Sequence, residues 1–98
     1  MEKNFLILLV EDDEFNYKYI YHIFTNSPFE ILRARNGKEA LELFEKENRI
    51  NIILIDIKLP DISGIDIVRI IRSKDKKIPI ICQTAARDDM INREIFDA

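Results

Sequence analysis

Four short, mainly apolar runs recur along the chain: residues 5–10 (Phe-Leu-Ile-Leu-Leu-Val), 29–34 (Phe-Glu-Ile-Leu-Arg-Ala), 51–56 (Asn-Ile-Ile-Leu-Ile-Asp) and 78–83 (Ile-Pro-Ile-Ile-Cys-Gln). Runs this short, bounded by polar breaks and followed by helical patterns, read as buried parallel strands. The segments between them have a helical period. Residues 14–24 show a local tyrosine alternation, but their length and acidic start decide for a helix, with Ile20, Ile23, Phe24 and Tyr17 as its apolar stripe and Asp12 or Asp13 as its cap. Pro28 marks the turn that follows. Asn36-Gly37 starts a second helix with Ala40, Leu41, Leu43 and Phe44 on its inner side. Gly64 precedes a third, which carries Ile65, Ile67, Val68, Ile70 and Ile71, and residues 88–96 read as a weaker, more polar helix.

Strict alternation of strand and helix implies a parallel sheet with right-handed crossovers and helices on both faces, a flavodoxin-like α/β architecture. In such sheets ligands bind outside the carboxyl ends of the strands. Glu11, Asp12, Asp56 and Thr84 all fall at such ends. Several carboxylates crowded in one crevice repel each other unless a cation neutralises them, and an oxygen-only cluster suits Mg2+. Other acids fit plainer roles. Asp13 reads as a helix cap, and Asp61, Asp66, Asp88 and Asp89 read as helix-start or surface acids. His22, within an aromatic helix, reads as a partly exposed packing residue.

With 98 residues, 47% hydrophobic content and a net charge of -3, the chain has room for one core, and residues 1–98 are expected to form a single domain. Its basic residues are scattered, which excludes a massed nucleic-acid surface. The one basic cluster, Arg69, Arg72, Lys74, Lys76 and Lys77, sits at an expected helix end, where cations favour the dipole. No apolar stretch approaches the roughly 20 residues of a membrane span, and the N-terminus lacks the build of a signal peptide. The lone Cys82 reads as a small buried hydrophobe in a reducing compartment, so a cytoplasmic location is expected.

Three linked motifs carry a family resemblance across essentially the whole chain: the acidic pair Glu11-Asp12 after the first strand, Asp56-Ile-Lys-Leu-Pro-Asp-Ile-Ser-Gly64, and Thr84-Ala85 after the fourth. In order and separation they resemble the receiver domain of two-component response regulators, with Leu59 where the family often has Met. The resemblance implies a flavodoxin-like three-layer sandwich with sheet order 2-1-3-4. It implies that Asp56 takes a phosphoryl group from a histidine kinase or histidine phosphotransfer protein, with Mg2+ held by Glu11, Asp12, Asp56 and the backbone carbonyl of Lys58. It further implies that the Thr84 hydroxyl and the Ala85 amide bond phosphoryl oxygens, Thr84 moving toward the phosphate on activation. The resemblance implies that the chemistry is weak and self-catalysed, in the service of signalling.

Two other classes stand beside this one. A phosphatase of the haloacid dehalogenase type also uses an aspartate after a strand, but it wants an acid two residues on, where Lys58 stands. A degenerate receiver would act as a phosphorylation-independent interaction module. Family members continue into a fifth strand and helix, whose Lys cannot be assigned here because no Lys follows Lys77. If the chain stops at Ala98, residues 78–83 are expected at the sheet edge and apolar surface around Ile20, Ile23 and Phe24 is expected to be bare. Both favour self-association through the exposed edge or face, or else a marginal fold with a poorly ordered C-terminal helix.

Overall fold

A computed structural model describes residues 2–83 and the backbone of 93–95; Thr84, Ala85 and most of the expected helix over 88–96 lie outside the described residues. The elements are β1 (Phe5–Val10), α1 (Glu14–Ile23), β2 (Phe29–Ala34), α2 (Gly37–Lys46), β3 (Ile50–Asp56), α3 (Gly64–Lys74), β4 (Ile80–Gln83) and β5 (Arg93–Ile95). The first four strands are parallel in the order 2-1-3-4, as expected.

The continuous apolar run of β1 buries both faces of that strand, while β3 and β4 bury one face fully and leave most of the other half-buried. Leu8, Val10, Ile53, Ile55, Ile80 and Cys82 join Ala40 of α2 and Ile67, Val68 and Ile71 of α3 in one core. Ile7 and Leu9, which alternate with Leu8 and Val10, are buried outside that cluster. Cys82 is thus a buried hydrophobe, while Ile70 turns outward. Local caps set the helix starts. Asp13 accepts from the Phe15 N–H at 2.9 Å, Asn36 from Glu39 N–H at 2.8 Å, and Ser63 from Ile65 N–H at 3.2 Å.

Two strand boundaries differ from the sequence reading. β3 begins one residue early because a register shift between Leu6 and Ile7 leaves Asn51 to accept the Leu6 N–H through its side chain at 2.7 Å. β4 begins at Ile80 because Pro79 has no N–H to donate and the Ile78 N–H bonds to Asp75 Oδ1 at 3.1 Å.

A larger correction concerns the C-terminal segment. Arg93–Ile95 is a strand, not part of a helix, and pairs antiparallel with β4, placing Ile95 beside Ile81 and Arg93 beside Gln83. The open edge of β4 offers unpaired backbone groups, and satisfying them outweighs a weak, polar helical pattern. Among the described residues β5, not residues 78–83, is therefore the outer strand on this side of the sheet. The expectation for α1 fares differently. None of its residues is buried, Phe15 is 84% exposed, and Tyr19, Tyr21 and Ile23 are also open, although Ile20 and Phe24 are half-buried. Among the described residues no helix is long and apolar enough to cross a membrane.

Candidate metal and phosphoacceptor site

The carboxyl ends of β1 and β3, adjacent in the sheet, bring Glu11, Asp12 and Asp56 together. One carboxylate oxygen from each lies within 4.8 Å of the others. Glu11 is 3% exposed and Asp56 8%, whereas Asp12 is open to solvent, so the cluster has a buried floor and an accessible side. The Lys58 N–H donates to Asp56 Oδ1 at 3.1 Å and fixes that oxygen, and the Lys58 side chain is exposed. The Asp13 N–H donates to Glu11 Oε2 at 3.2 Å. Asp13 itself caps α1 and is not one of the converging acids.

Helix α3 presses on the site from below. A Cβ on Gly64 would stand 2.6 Å from the Asp56 carbonyl oxygen and 2.7 Å from Ile57 Cα, both backbone atoms that cannot swing aside. Gly64 is required for close approach, not for a left-handed turn, since no residue has positive φ among those described.

Electrostatics bear the marks of crowding. Burial pushes the Glu11 carboxyl up to about 7; repulsion from Asp56, Asp12 and Asp13 adds to it, and the Asp13 N–H works against it. Burial also raises Asp56, with Asp12 adding repulsion, opposed by the hydrogen bonds from Lys58 N–H and the Glu11 carboxyl. Two buried carboxylates, Glu11 and Asp56, whose ionised forms burial disfavours, and an open third acid within 4.8 Å of both, all offering oxygen ligands, fit a small hard dication.

Two residues that support the site carried little signal in the sequence. Asp61 read as a surface acid, yet its carboxylate accepts the Gly37 N–H at 2.8 Å and the Lys38 N–H at 3.0 Å. It thereby ties the loop after Asp56 to the start of α2, and these bonds hold its carboxyl below the usual range. Arg33, in β2, bonds the backbone of the acidic turn. The only hint of it was a charge inside a mainly apolar run, one position from the strand end.

The family model of the response regulator receiver domain matches residues 7–98. The polar-differentiation response regulator DivK of Brucella anthropi is 40% identical over 81 residues, which make up 81% of this chain and 65% of DivK. The chain therefore spans about 65% of the length of the curated relatives it matches. Among solved structures, the response regulator TrrA of Thermotoga maritima in complex with Mg2+-BeF is 33% identical with a TM-score of 0.79, covering 89% of this chain and 77% of that one. The non-phosphorylated HemR receiver domain of Leptospira biflexa is 29% identical with a TM-score of 0.78, covering 89% of this chain and 69% of that one.

Proposed function

Because the chain belongs to the response regulator receiver domain family, we propose that it is a phosphoacceptor: it takes a phosphoryl group from a histidine kinase or histidine phosphotransfer protein onto Asp56. The observation that carries this reading is the convergence of Glu11, Asp12 and a buried Asp56 at one sheet rim. A carboxylate oxygen of Asp56 attacks phosphorus, the bond from phosphorus to the donor imidazole nitrogen breaks, and its electron pair stays with that nitrogen. The Lys58 N–H orients Asp56 for the attack.

Glu11, Asp12, Asp56 and the Lys58 carbonyl would hold Mg2+, a role that the Mg2+-BeF complex of TrrA supports. Bound there, the ion supplies positive charge against the phosphoryl oxygens. Thr84 and Ala85 follow β4 directly and, by family resemblance, donate to those oxygens from their hydroxyl and amide. Thr84 then relays the modified state to the surface as a shift in population. This conformational signal, rather than turnover, is the output, and the work is that of a cytoplasmic domain.

Titration with Mg2+, followed by incubation with acetyl phosphate, tests the reading. Wild type is expected to bind Mg2+ and become labelled, Asp12→Ala to bind it at least tenfold more weakly in line with loss of a charged ligand, roughly as for outer-shell changes, and Asp56→Asn to remain unlabelled. Unchanged Mg2+ affinity in Asp12→Ala, or full labelling of Asp56→Asn, would refute it.

A further inference from the structure

Arg33 has an unusual position for a charged side chain. It lies in β2, in register with the fully buried Leu9, and its side chain is only 8% exposed. A guanidinium this far from water is costly unless its donors are satisfied. Among the described residues its hydrogen bonds, ion pair and ring contact all run to residues 11–17. Nε donates to the Glu11 carbonyl at 3.2 Å, Nη2 reaches the Asp12 carbonyl at 3.5 Å, Nη1 pairs with Glu14 Oε1 at 2.8 Å, and Cζ stands 4.2 Å from the centroid of the Tyr17 ring. The planar fork and the ring stacking suit Arg and cannot be copied by Lys.

The bonded carbonyls belong to the two residues whose carboxylates face Asp56. Beyond the last β1 pair, Val10 with Ala34, the sheet gives this turn one further backbone bond among the described residues, Glu11 N–H to the Ala34 carbonyl at 2.9 Å. What fixes the turn after that is Arg33 on one side and the start of α1 on the other.

We infer that Arg33 is the positioning residue of the acidic turn: it clamps the main chain of Glu11 and Asp12 to β2 and α1, so that both carboxylates are set for a divalent cation that Arg33 never touches. This role rests on the Mg2+ reading given above. It is not electrostatic attraction, since a nearby positive charge opposes cation binding. Loss of the charge alone would strengthen Mg2+ binding, while loss of the clamp weakens it.

Arg33→Met removes charge and fork together, and Arg33→Lys keeps the charge but loses the fork. Both are expected to weaken Mg2+ affinity about tenfold, the lower end for losing a group that orients a metal ligand. Amide exchange is expected to rise at residues 12–14 and to stay unchanged in α2 and α3. Glu45→Gln, which alters an exposed ion pair with Lys74 away from the site, is expected to leave the affinity within about twofold. A merely structural Arg33 would lower the urea midpoint and leave both the Mg2+ affinity and the selective exchange pattern alone. Arg33→Lys, with its charge and most of its stem retained, carries the test should Arg33→Met fail to fold. Wild-type protein that binds no Mg2+ would sink the metal reading and this role with it. Wild-type binding with the same affinity and loop exchange in the Arg33 variants would overturn the positioning role alone.

Discussion

Replacing Glu11 with Gln should stabilise the protein at alkaline pH in the presence of a chelator, although it removes a residue of the site. The Glu11 carboxyl is held at about 7 in the fold, against 4.5 as its ordinary value. Between those two values the folded chain binds more protons than the unfolded one, so stability falls as pH rises through that window, and the loss is complete above about pH 7. At about 1.36 kcal/mol per pKa unit the full displacement corresponds to about 3.4 kcal/mol. The exposed Asp12 side of the cluster admits solvent, and that screening brings the expected effect to about 2 kcal/mol. Gln is neutral at every pH, can still accept the Asp13 N–H through its carbonyl oxygen, and can donate to Asp56 through its amide. Urea unfolding of both proteins with EDTA at about pH 4 and about pH 8, values that bracket that window, measures the difference. Glu11→Gln should match wild type at the lower pH and exceed it by about 2 kcal/mol at the higher. Adding Mg2+ should reverse the order, because a ligand that binds only the folded state stabilises the better binder more. Equal pH dependence of the two proteins in EDTA would refute the reasoning.

Gly64→Ala places a Cβ against the Asp56 and Ile57 backbone, and overpacking of this kind should cost about 2 kcal/mol in urea unfolding and slow labelling by acetyl phosphate; a variant as stable and as reactive as wild type would show that the close approach is not needed. Asp61→Ala removes the acceptor for the Gly37 and Lys38 N–H groups and should lower the urea midpoint at neutral pH. Because the Asp61 carboxyl is held below its ordinary 3.8, that advantage of wild type should be present above this value and fade as pH falls through the lowered one. A midpoint difference that persists in strong acid would contradict the assignment.

The parallel sheet was legible because β1 is buried on both faces and β3 and β4 are buried on one and largely half-buried on the other, so that all three appear as mainly apolar runs, with acids marking where β1 and β3 end. Glu11, Asp12 and Asp56 were legible for the same reason, since chain order and strand ends together fix which side chains share a rim. Asp61 and Arg33 were not. Their roles depend on partners distant in sequence, the α2 N-terminus for Asp61 and the turn after β1 for Arg33, and no local period encodes such pairings. The antiparallel β5 escaped for a related reason. Its conformation is set by the open edge of β4, while the residues themselves are polar and short of apolar period.

The central claim, that Asp56 is the acceptor, is tested most directly by trapping the modified residue. Protein incubated with acetyl phosphate and Mg2+ is reduced with borohydride, which converts an aspartyl phosphate to homoserine, and is then digested and sequenced by mass spectrometry. Homoserine should appear at position 56 alone and should vanish when Mg2+ is chelated. Homoserine at Asp12 or Asp61 instead, or none anywhere while Mg2+ binding is intact, would contradict the account.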